Sequence, residues 1–69
     1  MKISARNTIE GTVKNVVLGP VSAEVVLRVS PKIEIVAVIS ANSAKALKLK
    51  KGKKAYAVIK ATSVMVAVD

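Results

Sequence analysis

Apolar residues in this chain come in short runs that turn signals cut apart. Leu18-Gly19-Pro20 breaks the first run, Ser30-Pro31-Lys32 separates two Val/Ile-rich runs as a hairpin would, and Lys51-Gly52-Lys53 precedes the last two. The pattern predicts five strands, near Ile3 to Val17, Val21 to Val29, Lys32 to Ile39, Lys54 to Ala61 and Ser63 to Val68, with a bend or tight turn at 61–63. Ser40 to Leu47 reads differently: Ser40 is a capping residue, Ala44 and Ala46 favour helix, and Leu47 adds an apolar contact, so one or two helical turns are expected. A long first strand, a hairpin, a short helix and a closing pair of strands predict a mainly β fold. The expected form is a five-stranded Greek-key barrel of the OB type, with residues 1–69 as a single domain.

Two of the runs are apolar on both faces. In Ile33-Glu34-Ile35-Val36-Ala37-Val38-Ile39 one face carries Ile33, Ile35, Ala37 and Ile39, while Val36 and Val38 occupy the other; Val64-Met65-Val66-Ala67-Val68 doubles in the same way. A strand apolar on both faces is buried on both. Composition sharpens the point: hydrophobic residues make up 52% of the chain but aromatic residues only 1%, Tyr56 alone. A core of Val, Ile, Ala and Leu in 69 residues, without disulfide or zinc staples, is near the lower limit of independent stability. Covering the outer faces by other copies of the chain, in an obligate homo-oligomer, is therefore expected.

Several function classes drop out. The chain has no histidine and no cysteine, and its four carboxylates, Glu10, Glu24, Glu34 and Asp69, are scattered, so no acid–base pair or activated nucleophile is visible and no enzyme is expected. With a net charge of +8 and so few oxygen ligands, no site for a free metal cation is expected either. The apolar runs fall well short of the roughly 20 residues that span a bilayer, and Met1-Lys2 is not followed by a signal-peptide core, which predicts no membrane partner and a cytoplasmic location.

What the residues do allow is anion binding, in three segments that each carry a plainer reading. Ile3-Ser4-Ala5-Arg6-Asn7 combines a permanent cation, two neutral polar groups and a small residue that lets a ligand approach the backbone; it also suits a solvated start to a strand. Lys60 interrupts the apolar run Ala57-Val58-Ile59 beside Ala61 and Thr62, where a bound dianion would partner the ammonium, or the stem would carry it to water. Ser40 and Ser43, three residues apart at the helix start, form either an anion cradle or an ordinary cap. The run Lys48-Leu49-Lys50-Lys51-Gly52-Lys53-Lys54 is a solvated loop or an electrostatic lure. An OB barrel of this charge also suggests a nucleic-acid-binding domain, which the lack of Phe and Trp for base stacking argues against.

Taken together, the Ser4-Ala5-Arg6-Asn7 start, the Ser22-Ala23-Glu24-Val25-Val26 segment, Leu47-Lys48-Leu49 and the Val58-Ile59-Lys60-Ala61 end resemble, in order and spacing, the small molybdate-binding proteins called molbindins, or Mop proteins. The resemblance covers nearly the whole chain. It implies an OB-type barrel assembled as a hexamer, a trimer of dimers, that binds molybdate or tungstate between subunits for storage or homeostasis and carries no organic cofactor. By motif position it implies Ser4, Arg6, Ser40, Ser43 and Lys60 as ligands, with the adjoining Ala61 backbone and Thr62, which stands where many relatives have serine. The Ser30-Pro31-Lys32 turn departs from the Gly-rich turn of relatives, and the Lys48–Lys54 run is more basic than theirs.

Overall fold

The computed structural model describes residues 1–69. Strand β1 (Asn7–Leu18), β2 (Ser22–Ser30) and β3 (Ile33–Ser40) are followed by helix α1 (Ala41–Ala46), β4 (Lys54–Ile59) and a single 3₁₀ turn (Ala61–Ser63). The strands form one antiparallel sheet in the order β3-β2-β1-β4, so β1 pairs along one side with β2 and along the other with β4. The mainly β architecture with one short helix is as the sequence predicts, but the sheet has four strands.

The differences lie at the ends. Strand pairing between β1 and β4 runs from Thr12↔Lys54 to Asn7↔Ile59. Residues before Asn7 therefore have no partner, and β1 begins four residues later than expected. Beyond Ile59 the Ser63 N–H donates to the Lys60 carbonyl at 2.8 Å, closing the 3₁₀ turn, so β4 stops short of Lys60 and Ala61. The predicted fifth strand, Ser63 to Val68, is no strand within one chain: Ser63 closes the 3₁₀ turn, no residue after it pairs with the sheet, and all of them are exposed.

Helix α1 is short because its punctuation is strong. Ser40, with φ −67° and ψ 148°, caps it by accepting from the Ser43 N–H at 3.0 Å. At the other end Lys48 takes φ 55°, Lys48 N–H donates to Lys45 O, and Leu49 N–H donates to Ala44 O, the paired bonds of a Schellman cap. The Lys53 ammonium adds a bond to the Leu47 carbonyl at 2.6 Å. Ala41 N–H donates to Val21 O, and the buried Ala41 and Ala44 seat the helix against the β2–β3 end of the sheet.

The core is thin. Val13, Val25, Leu27 and Ala57 form its centre, with Ile35, Ile39 and Leu49 packed against them, and only seven residues are buried in all. A chain of this mass folded as a compact monomer would expose roughly 4,100 Å². This one exposes 5688 Å², and the excess is apolar: Val38 on the outer face of β3 is 70% exposed, Met65 93% and Val66 89%. The inner face of β3, at Ile35, Ala37 and Ile39, is half-buried as expected, while Ile33 is exposed.

At Gly11, β1 passes close beneath β2. A Cβ built there lies 2.9 Å from the Arg28 carbonyl oxygen and 3.0 Å from Val29 Cγ1. Backbone cannot give way cheaply, so Gly11→Ala is expected to destabilise the fold by about 1–3 kcal/mol through overpacking. A lowered thermal midpoint for the variant checks this.

Candidate functional site

The register that ends β1 and β4 also builds a cleft. Because Asn7 faces Ile59, the segments leaving this pair, residues 3–6 and 60–62, emerge side by side at one end of the sheet. Between them is a cavity of about 370 Å³ lined by Ile3, Ser4, Ala5, Arg6, Val58, Lys60, Ala61 and Thr62. Five of the seven residues expected to bind an oxyanion, Ser4, Arg6, Lys60, Ala61 and Thr62, thus meet in one place, although the outer two segments are more than fifty positions apart in sequence.

The cleft is rich in donors and carries no side-chain carboxylate. Arg6 and Lys60 enter no ion pair, and both are exposed in the single chain, so Lys60 is not the buried strand charge that its apolar neighbours suggested. The Ser4 and Thr62 hydroxyls add neutral donors. In the 3₁₀ turn the first internal bond comes from Ser63 N–H, which leaves the Ala61 and Thr62 amides without a partner in the turn. Two of the four carboxylates elsewhere are engaged: Glu10 pairs with Lys54 at 2.8 Å, and Glu34 pairs with Lys14 and Arg28. The bond from Lys14, with a smaller contribution from Arg28, holds the Glu34 carboxyl below its ordinary range, and Glu10 in turn raises Lys54.

Ser40 and Ser43 do not join this cleft within one chain. Ser40 ends β3, at the opposite edge of the sheet from β4, with β2 and β1 between them. There the Ser40 hydroxyl donates to Ser43 Oγ at 2.7 Å and accepts from Ser43 N–H, which is the capping arrangement. The basic run Lys48–Lys54 is also divided: Lys53 caps α1, Lys54 pairs with Glu10 and lies 5.6 Å from the Tyr56 ring centre, and Lys51 turns to a separate groove.

The sequence reading missed Val58 as a wall of the cleft. The signal was there, since Val58 and Lys60 are two apart and share a face of an extended chain. It also missed an apolar opening of about 430 Å³ between the free edges of β3 and β4, where Ala37, Ile39, Leu47, Leu49, Tyr56 and Val58 face one another. That opening depends on which strands are edges, and local pattern does not show this.

The TOBE domain family matches residues 3–66. The probable molybdenum-pterin-binding protein of Haemophilus influenzae is 45% identical over 69 residues, covering the whole of both chains. Among solved structures, a molybdate-binding protein from Sporomusa ovata superposes with a TM-score of 0.91 at 43% identity, covering 99% of this chain and 100% of its own. The cytoplasmic molybdate-binding protein ModG, solved with molybdate bound, superposes with a TM-score of 0.83 at 44% identity over 88% of this chain and 43% of its own. The chain belongs to the TOBE domain family. Its full-length relatives place it among the small molybdenum-pterin-binding Mop proteins, the molbindins that its sequence resembles. No helix is long and apolar enough to cross a membrane, and no three His, Cys, Asp or Glu side chains cluster as metal ligands.

Proposed function

We propose that this protein binds molybdate, or tungstate, reversibly and without catalysis, as an intracellular store. The observation that carries the reading is the convergence of unpaired Arg6 and Lys60 in a cleft with no side-chain carboxylate. Molybdate at neutral pH is a tetrahedral dianion without a proton, so a site of donors alone suits it. Phosphate keeps a proton that would face those donors with no acceptor. Sulfate matches molybdate in charge and shape but is smaller, so size is what must separate the two. Arg6 and Lys60 supply charge, the Ser4 and Thr62 hydroxyls and the Ala61 amide supply neutral bonds, and the oxyanion itself is the ligand. The pterin in the relatives' names finds no stacking surface here, because Tyr56 lies at the opening between β3 and β4 and not in the cleft. The single aromatic ring likewise tells against single-stranded nucleic acid as the partner.

The cleft is open in one chain, and a tight site for a dianion needs water excluded. We read the exposed segment after Ser63 and the apolar opening between β3 and β4 as two halves of one intersubunit contact, in which a second copy's segment completes the barrel with the fifth strand. The same assembly, a hexamer built as a trimer of dimers, would bring Ser40 and Ser43 of one copy to the cleft of another. Ligand uptake by ModG, described as cytoplasmic, supports a cytoplasmic store. Titration calorimetry of the purified protein tests the function: molybdate and tungstate are expected to bind in preference to sulfate, and absence of uptake of both would overturn the proposal.

A further inference from the structure

A second constellation of charge lies elsewhere on the sheet, apart from the Arg6–Lys60 cleft. Between Val13 and Asn15 the pairing of β1 with β2 slips by a bulge, which takes Lys14 out of the ladder; such bulges re-aim the side chain they carry. Lys14 meets the Glu34 carboxylate at 2.5 Å, and Arg28, the register partner of both Thr12 and Glu34, approaches the same oxygen at 3.5 Å. The loop before β4 is tied to the bulge by two backbone bonds, Gly52 N–H to Val13 O at 2.8 Å and Val13 N–H to Lys53 O at 2.9 Å, and this brings Lys51 to the same place. The result is a groove of about 340 Å³ lined by Thr12, Val13, Lys14, Arg28, Lys51 and Gly52. It lies roughly 17 Å along β1 from the Arg6–Lys60 cleft, at about 3.4 Å per residue from Asn7 to Thr12.

One carboxylate does not satisfy this many donors. The Arg28 guanidinium offers five N–H groups, the Lys14 ammonium three, and Lys51 has no ion-pair partner. The excess is two positive charges, enough for a dianion. The groove differs in one respect from the Arg6–Lys60 cleft: Glu34, although not itself a lining residue, touches two that are, Lys14 and Arg28, so a ligand held by both stands beside an acceptor as well as donors. By the argument that makes a donor-only site favour molybdate, a site with a built-in acceptor favours an oxyanion that carries a proton.

We propose that the Lys14–Arg28–Lys51 groove is a second anion site, selective for hydrogen phosphate, in which the cations bind the bare oxygens and Glu34 accepts the P–OH hydrogen bond. Glu34 suits the task because its carboxylate is fixed at the cations by contacts with Lys14 and Arg28, which also lower its pKa. The proposal does not rest on the molybdate reading; it uses different residues and a different ligand.

The experiment is calorimetry at pH 8.0, where inorganic phosphate keeps one proton while a phosphate monoester, with its second pKa near 6, has lost it. Inorganic phosphate, glycerol phosphate and sulfate are each titrated into the protein, free and saturated with molybdate. Inorganic phosphate is expected to bind at least tenfold tighter than the other two and to be unaffected by molybdate. Glu34→Ala, at an exposed position, is expected to tighten sulfate binding by freeing the cations and to bring the phosphate-to-sulfate preference below about twofold. Lys14→Ala with Arg28→Ala should abolish phosphate binding while molybdate uptake persists. Equal binding of phosphate and sulfate, displacement of phosphate by molybdate, an unchanged preference in Glu34→Ala, or no phosphate binding at millimolar concentration would each overturn it. Failure of molybdate uptake alone would overturn only the proposal for the Arg6–Lys60 cleft.

Discussion

Replacing Arg6 or Lys60 by alanine is expected to weaken molybdate binding by about 10- to 150-fold each, whereas Lys48→Ala or Lys50→Ala changes it by less than about twofold. A charge-assisted hydrogen bond in a desolvated site contributes about 1.5–3 kcal/mol, which converts to that range. An exposed loop lysine acts only through attraction that salt screens over about 8–10 Å. Arg6 and Lys60 line one cleft and have no carboxylate partner in it. Their mutual repulsion is unrelieved when the cleft is empty, so Lys60→Ala should also raise the thermal midpoint of the ligand-free protein while lowering the shift that molybdate produces. Calorimetry and thermal denaturation with and without molybdate measure both effects. If the loop lysines matter as much as Arg6 and Lys60, and binding collapses with added salt, the anion sits on a diffuse basic surface and the cleft is not its site.

How much of this was legible in the sequence depended on whether the relevant information was local. The span of β2 and β3, the end of β1 and the helix were, because Gly19-Pro20, Pro31-Lys32 and Ser40 punctuate them directly and the β-branched runs between leave little choice. The ends of β1 and β4 were not. Whether Ile3 and Lys60 extend a strand depends on the ladder continuing past Asn7↔Ile59, and it stops there as the chain after Ile59 closes into the 3₁₀ turn. The segment after Ser63 reads as a strand in composition, but a strand exists only where an edge receives it, and within one chain none does. For the candidate site, Arg6 and Lys60 stood out as cations in small or apolar surroundings, but only strand pairing brought them together. Ser40 and Ser43 show the converse: their capping role is local and was legible, while any ligand role depends on a neighbouring copy. The Lys14, Arg28 and Glu34 cluster had no sequence signal, since it needs the bulge in β1 and two cross-strand registers at once.

The segment after Ser63 carries the sharpest test of assembly. Met65 and Val66 are 93% and 89% exposed in the single chain, and substitutions at positions that touch so little normally change stability by no more than about 0.5 kcal/mol. In an isolated folded monomer, Met65→Lys and Val66→Asp would therefore be silent. In the proposed assembly they place charges inside the apolar opening between β3 and β4 of a second copy, where an unpaired charge costs several kcal/mol. The surface at stake is large enough to hold such an assembly. The excess over a compact monomer is roughly 1,500 Å² per chain by the mass scaling, and a stable pairwise interface buries about 1,200–2,000 Å² from both partners together. The unsubstituted protein is accordingly expected to run as a hexamer at micromolar concentration, and Val66→Asp to weaken association at least 100-fold. Because only seven residues are buried within one chain, the released subunit should lose its cooperative thermal transition as well. Light scattering and calorimetry report the two effects separately. A Val66→Asp protein that stays hexameric would place this segment outside the interface, and an unsubstituted chain that is monomeric and folded at micromolar concentration would remove the assembly altogether.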